Sequence, residues 1–158
     1  MRIAFDLYAQ TNPAFCAAVL AEFCETYRKR IDTSPSLVTA YLILPITMSE
    51  DLASTFEGTN ARTGFSVWLH RNPQLCDGLA KRINGTLSVT SDAIRFGCIS
   101  KQLFLGTDGL LSSLNRKLPK TTSDGAIDPA FSRARLLGAW IAEAGSPRAV
   151  MEGFGVSV

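Results

Sequence analysis

The sequence lacks the motifs that identify the common enzyme classes. It contains one histidine, His70, and no Cys-x-x-Cys pair, so a zinc site is not expected. The phosphate-binding patterns Gly-x-x-x-x-Gly-Lys-Ser/Thr and Gly-x-Gly-x-x-Gly are absent, and so is the Gly-x-Ser-x-Gly nucleophile elbow. A single histidine without a recognisable nucleophile motif is too little to indicate catalysis. We therefore predict no enzyme activity and no catalytic, metal-binding or cofactor-binding residues.

Long apolar runs and a strong excess of one charge are also missing. The longest apolar stretch, residues 40–46, is far too short to cross a bilayer. At the start of the chain, Asp6 precedes any apolar run, so no signal peptide is predicted. The net charge of +2, from 16 basic and 14 acidic residues, indicates no particular polyanion as partner. These features predict a cytoplasmic protein that has no membrane contact.

The few cysteines do not form a disulfide pattern. The chain has four, Cys16, Cys24, Cys76 and Cys98. The first two lie eight residues apart in a predicted helix. That spacing separates their Cα atoms by about 12 Å, too far for a disulfide. We predict buried, reduced thiols at all four positions.

Proline is scarce, but its placement divides the chain. Five of the seven prolines follow a short polar residue, in Asn12-Pro13, Ser34-Pro35, Asn72-Pro73, Asp128-Pro129 and Ser146-Pro147. The polar side chain can accept a hydrogen bond from the first free amides of a helix, and proline suits the first helical position. Each pair therefore predicts a helix start, and the whole chain is predicted to be mostly helical.

Apolar spacing supports this division. An apolar residue recurs every four positions from Phe15 to Tyr27, which predicts a helix over residues 12–30. Residues 37–45 fit either a buried strand or a buried helix, and Ser34-Pro35 favours a helix that breaks at Pro45. Further helices are predicted at residues 48–56, 63–71 and 128–145, with a polar loop at 58–62, an exposed loop at 115–127 and a short turn after Ser146-Pro147. We expect an N-terminal arm at residues 1–11 and a single domain at residues 12–158.

The middle of the chain predicts a winged helix-turn-helix. A helix begins at Asn72-Pro73 and is expected to end at Asn84-Gly85, and a second helix spans residues 90–101. Residues 103–114 then form two short apolar runs around Asp108-Gly109, a hairpin signal. This order is that of two helices followed by a wing. The predicted fold class is mainly α with a small β-hairpin wing, a winged helix-turn-helix-like single domain.

Basic residues cluster in and beside this region. The candidates for contact with DNA phosphates are Lys81, Arg82, Arg95, Lys101, Arg116, Lys117 and Lys120. Asp92 and Asp108 lie in the same elements and would repel phosphate. The alternative is therefore a solvated face or a face that binds a protein partner.

Aromatic residues follow helical stripes, which usually indicates a core. Phe65 and Trp68 also come directly after a polar loop, so they are candidate contacts for a partner. Phe5 and Tyr8 in the N-terminal arm are further candidates for partner binding.

Several segments together resemble a known family. They are residues 12–16 (Asn-Pro-Ala-Phe-Cys), 42–45 (Leu-Ile-Leu-Pro), Trp68-Leu69, Asn72-Pro73, residues 93–97 (Ala-Ile-Arg-Phe-Gly), 136–140 (Leu-Leu-Gly-Ala-Trp), 144–147 (Ala-Gly-Ser-Pro) and Gly155-Val156. In their order and spacing, over roughly residues 10–156, they are similar to the middle components of bacterial three-component ABC systems. Relatives often end in a basic residue and proline after Gly-Val, whereas this chain ends in Ser157-Val158.

The resemblance implies a function without catalysis. It implies an adaptor subunit of a Lamassu-like antiviral or anti-plasmid defence complex, whose partners are an SMC-like ABC ATPase and a third effector component, with double-stranded DNA as a further possible contact. No functional residue is carried over, because the family has no catalytic motif to match. The alternative hypothesis is a stand-alone winged-helix regulator that binds DNA, and a small enzyme that uses His70 comes third.

Overall fold

The computed structural model describes residues 12–114 and 128–156. Its helices are α1 (Pro13–Ile31), α2 (Leu37–Ala40), α3 (Ile43–Thr47), α4 (Phe65–Arg71), α5 (Leu79–Ile99), α6 (Pro129–Ala144) and α7 (Pro147–Gly153). Two 3-10 helices lie at Glu50–Phe56 and Pro73–Cys76, and two strands, β1 (Leu103–Leu105) and β2 (Leu111–Ser113), form an antiparallel sheet. The predicted class, mainly α with a small β-hairpin, is confirmed.

Three of the predicted helix starts are confirmed in atomic detail. The Asn12 side chain accepts a hydrogen bond from the Ala14 amide at 3.0 Å. The Asp128 side chain accepts one from the Ala130 amide at 2.9 Å. At the start of α7, the Ser146 hydroxyl accepts one from an amide three residues on, at 3.2 Å. In each case proline occupies the first turn, where its missing N–H leaves no bond unmade.

The start predicted at Ser34-Pro35 is wrong by two residues. Helix α2 begins at Leu37, and the hydroxyl of Ser36 accepts a hydrogen bond from the amide two residues on, at 3.2 Å. Pro35 is buried, and its carbonyl accepts a hydrogen bond from the Leu111 amide at 2.8 Å. The proline therefore lies in a segment that pairs with the hairpin, next to the bridge between Ser36 and Leu110, and the helix starts only after this pairing.

The segment after it is helical, as favoured, but Pro45 does not break it. Tyr41 and Leu42 keep a right-handed helical backbone, but their amides bond three residues back instead of four, and α3 then begins at Ile43. Pro45 is the third residue of α3. At that position an amide would have no partner inside the helix, so proline is tolerated.

The break predicted at Asn84-Gly85 is wrong. Both residues lie inside α5, a continuous helix of 21 residues. The Asn72 side chain also does not start a long helix; it donates a hydrogen bond to the Trp68 carbonyl at 2.9 Å and so caps the end of α4. The hairpin follows α5 as expected, but without the predicted turn between two helices the winged helix-turn-helix stays unconfirmed.

Helix α1 lies at the centre and packs mainly against α6 and α5. Its inward face is fully buried at Cys16, Val19, Leu20 and Phe23. Beside it, five aromatic side chains form the aromatic cluster, defined as Phe56, Phe65, Trp68, Trp140 and Phe154. Helix α7 and the residues after it complete this cluster, because the Phe154 ring lies 5.1 Å from Phe65 and 6.0 Å from Trp68.

Candidate interaction surface

The end of α5 is shaped by a reversal of the chain at Lys101. This residue has a left-handed backbone, with φ of 59°. The Gln102 amide donates to the Gly97 carbonyl at 2.8 Å, and the Lys101 amide donates to the Cys98 carbonyl at 3.3 Å. These two bonds form a Schellman motif, in which glycine is the usual residue at the left-handed position. The reversal directs the chain into β1.

Close packing at Gly97 holds β1 against α5. A Cβ atom at Gly97 would lie 2.5 Å from Cδ1 of Leu103, too close for any other residue without a shift. Leu103 and Leu111 are buried on the inner side of the hairpin. The Ser34 and Ser112 hydroxyls, 2.8 Å apart, join the segment before α2 to β2. The hairpin is therefore fixed to the body of the protein along both strands.

The outer side of the hairpin exposes apolar side chains. Phe104 pairs with Ser112, and the Leu114 amide extends the ladder by donating to the Gln102 carbonyl at 2.8 Å. Because side chains alternate along a strand, Phe104 and Leu114 lie on the same face. Phe104 is 57% exposed and Ile99, the last residue of α5, is 83% exposed.

The reversal at Lys101 joins the end of α5 directly to the hairpin, so the exposed residues of the two elements follow one another closely along the chain. We define the α5–hairpin surface as Phe96, Ile99, Lys101, Phe104 and Leu114, all of which are exposed. Phe96 lies three residues before Ile99, on the same side of the helix. Exposed apolar side chains that occur together are typical of surfaces that bind a partner.

Two basic residues near the end of α5, Arg95 beside the surface and Lys101 within it, differ in their ion pairing. Arg95 forms an ion pair with Asp92 at 3.2 Å, and both side chains are exposed. Lys101 is exposed, and within residues 12–114 and 128–156 no carboxylate forms an ion pair with it. The surface thus presents a lysine ammonium group among aliphatic and aromatic side chains.

The other basic candidates for DNA contact are spread along α5 or lie elsewhere. Lys81 is exposed near the start of α5, about 21 Å along the helix axis from Arg95. Arg82 binds the Asp51 carboxylate and donates to the Ser49 hydroxyl at 3.0 Å. This guanidinium lowers the pKa of Asp51. Arg116, Lys117 and Lys120 lie outside the described residues.

The structure places Phe65 and Trp68 in the aromatic cluster and not on the surface. Phe65 is 8% exposed and Trp68 is 0% exposed. The Trp68 indole donates a hydrogen bond to the Thr55 carbonyl at 3.1 Å, so its one polar group already has a partner. The prediction that these two side chains contact a partner is therefore corrected to the alternative of core packing. Phe5 and Tyr8 lie outside the described residues.

The side chains that a catalytic mechanism would need are dispersed. His70 is exposed at the end of α4. Burial raises the pKa of the Cys16 thiol to about 11 and raises that of Cys24 further, so neither forms a thiolate at neutral pH. Predicted burial is thus confirmed for these two cysteines, but Cys76 is exposed and Cys98 is half-buried.

The described residues also lack the features of a metal centre or of a membrane span. In residues 12–114 and 128–156, no group of three or more His, Cys, Asp or Glu side chains is placed to hold a metal ion. Among the helices given above, none combines the length and the apolar character needed to span a bilayer.

The sequence interpretation missed most of the α5–hairpin surface. The sequence does contain a signal for the exposure of Ile99. The buried positions of α5 at its end are Ala93, Ile94 and Gly97, and Ile99 does not lie on the helix face that they form. Alternation along β1 likewise turns Phe104 outward once Leu103 is inside. Without a structure, however, nothing in the sequence tells which of these strand faces meets the core.

Comparison with known proteins now decides the family. A family model described as ABC-three component (ABC-3C) system Middle Component 3 matches residues 2–158. The chain belongs to this family. The resemblance to middle components found in the sequence is thereby confirmed. Comparisons with curated proteins and with solved structures give no match.

Proposed function

We propose that this middle component is a non-catalytic adaptor subunit that connects the ABC ATPase of its system to a third, effector component in antiviral defence. Membership of the family carries the proposal, because a middle component is one part of a multi-component system. The exposed apolar surface at the end of α5 supports it, since such a surface suits binding to another protein. The buried, protonated thiols of Cys16 and Cys24 agree with a role that does not require chemistry.

Co-purification tests this proposal. The chain is expressed with the two proteins encoded beside it, with an affinity tag on the ATPase component. We expect all three to elute together through size-exclusion chromatography. Recovery of the chain as a separate monomer, despite soluble expression of both other components, would contradict the adaptor function.

A second measurement tests the absence of catalysis within the complex. We expect ATP hydrolysis to depend on the ATPase component alone, and the His70→Ala variant to support defence against phage as well as the native chain does. A defect of this variant at normal protein level would instead favour an enzymatic function.

Contact with double-stranded DNA is a secondary proposal. It is supported by Lys81 and Arg95, which are exposed on α5, and by Lys101, which is exposed just beyond the C-terminal end of that helix. It is weakened by the ion pairs of Arg82 and Arg95 with neighbouring acids, which reduce their charge available to phosphates. A gel shift at low salt that is lost in the Arg95→Ala, Lys101→Ala double variant would support it, and the same result with a specific operator and no other component would favour a stand-alone regulator.

A further inference from the structure

Lys101 occupies a backbone position that does not suit a lysine. Its φ of 59° lies in the left-handed region, where a Cβ atom is crowded and glycine is favoured. The Schellman motif at the end of α5 needs this conformation but makes no use of a side chain. Glycine would therefore form the same reversal at lower cost. Because Asp32 has a similar backbone at the end of α1, the conformation supports a functional hypothesis for Lys101 only together with the surroundings of its side chain.

The surroundings of Lys101 indicate what that function is. Exposed apolar residues lie close to Lys101 along the chain and the hairpin. Ile99 comes two residues before it and Phe104 comes three residues after it. Leu114 directly follows Ser113, the residue of β2 that pairs with Leu103 of β1. The Leu114 amide binds the carbonyl of Gln102, the residue that directly follows Lys101, so Leu114 lies close to the reversal. In the described part of the chain, no acid neutralises the ammonium group of Lys101. Within residues 12–114 and 128–156, this surface is therefore apolar apart from the Lys101 ammonium group, which has no ion-pair partner there.

We propose that the α5–hairpin surface binds a segment of the ABC component of the system, and that this segment places a carboxylate on Lys101 among apolar side chains. The inference rests on the proposed function and names the surface and the chemistry of its partner. The ABC component is chosen because the family description names the whole system after it, and the proposed adaptor must contact it. Charge complementarity fixes the carboxylate, since burial of the ammonium group without an opposite charge would be costly.

Two other occupants fit the surface less well. A DNA backbone would meet the Lys101 charge, but exposed Ile99 and Phe104 have no counterpart among phosphates. A second copy of this chain, related by a two-fold axis, would bring the same surface against itself and place two Lys101 ammonium groups in one contact. Both are outcomes that the following experiment separates.

The experiment measures the affinity of the full chain for the purified ABC component, with unfolding midpoints taken in parallel. Lys101→Glu is expected to weaken binding at least about tenfold, because it places like charges together. Lys101→Gly is expected to act in opposite directions on two readouts. It should raise the unfolding midpoint by about 2–4 °C through relief of the left-handed strain, and still weaken binding several-fold.

Matched controls separate the surface from general charge effects. Arg71→Glu makes the same change of charge at an exposed position at the end of α4, outside the surface, and should leave the affinity unchanged. Ile99→Ser removes the most exposed apolar side chain of the surface and should weaken binding without lowering the midpoint. Equal losses from Arg71→Glu and Lys101→Glu would overturn the proposal, because they would show only a dependence on total charge.

The outcomes distinguish this inference from the function on which it rests. If the native chain does not bind the ABC component at all, the adaptor function fails and the inference fails with it. If the native complex forms and Lys101→Glu and Ile99→Ser leave its affinity unchanged, only the inference is overturned. The two variants could instead leave the ABC complex intact and abolish binding of DNA, self-association or binding of the third component. That result would also overturn the inference, and the lost interaction would identify the other occupant.

Discussion

The aromatic cluster and the α5–hairpin surface are both rich in large apolar side chains, but other elements cover only the first. Phe154, directly after α7, packs on Phe65 and Trp68. The 3-10 helix at Glu50–Phe56 supplies the Phe56 ring and the carbonyl that accepts the hydrogen bond of the Trp68 indole. Nothing comparable covers Ile99 and Phe104 in the described residues. The difference shows that a large apolar side chain is buried only where a second helix or strand packs over it, whatever the polarity of its neighbours in the sequence.

The strongest test of this comparison substitutes one side chain from each region. Trp68→Ala should lower the free energy of unfolding by about 3–5 kcal/mol, because it empties a fully buried site and leaves the Thr55 carbonyl without its donor. Phe104→Ala should change it by less than about 0.5 kcal/mol, because the ring is mostly in solvent. Urea denaturation followed by tryptophan fluorescence and circular dichroism measures both.

The opposite pattern would reverse the assignment of the two regions. If Trp68→Ala kept its stability and lost only its complex with the ABC component, Trp68 would be a partner contact after all. If Phe104→Ala unfolded at markedly lower urea, the hairpin would belong to the core.

A second test acts on the element that covers the cluster. A Cβ atom at Gly153, the last residue of α7, would lie 2.8 Å from Cε1 of Phe65 and 3.3 Å from a methyl carbon of Leu69. Gly153→Ala should therefore cost about 1–3 kcal/mol through overpacking, since the ring is held by its neighbours. Thermal unfolding measures the loss, and binding to the ABC component should be unaffected below the transition. An unchanged midpoint would mean that α7 covers the cluster only loosely.

Sequence reasoning succeeded where local chemistry decides the structure. The caps at Asn12, Asp128 and Ser146 and the hairpin at Asp108-Gly109 depend on residues close in sequence, and each was predicted. It failed where distant packing decides. The bridge from Pro35 to β2 and the burial of Trp68 under α7 are long-range contacts that no local pattern contains.

Only part of the candidate site could be predicted from the sequence. The hairpin and the exposure of Lys101 followed from the pattern, but the identity of the surface did not. Positive charge drew attention to DNA, while the apolar exposure of Ile99 and Phe104 depends on which side of α5 and β1 faces α1 and the core.

The continuity of α5 gives a third test, because α5 carries the exposed surface at its C-terminal end. Gly85 lies inside this helix at an exposed position, and a Cβ atom there would meet nothing within 4 Å. Gly85→Ala should therefore raise the free energy of unfolding by about 0.5–1 kcal/mol, from helix propensity alone. The measurement is urea denaturation against the native chain. A loss of stability instead would indicate that the chain leaves the helix at Asn84-Gly85, as the sequence suggested, and that the surface is attached less rigidly.

The smallest expected effect concerns the ion pair at the opposite end of α5, between Arg82 and Asp51. The hydrogen bond from the Arg82 guanidinium lowers the pKa of Asp51 in the folded protein, so folding favours the ionised carboxylate. The pair therefore contributes stability above the unfolded pKa, about 3.9, and loses it as the pH falls through the lower folded value. Because Asp51 is largely exposed, the contribution at pH 7 should stay below about 1 kcal/mol and decrease with salt. Asp51→Asn should show this deficit at pH 7 and match the native chain near the acid limit. An equal deficit at both pH values would mean that Asp51 acts through packing, and a deficit confined to low pH would contradict the direction of its pKa shift.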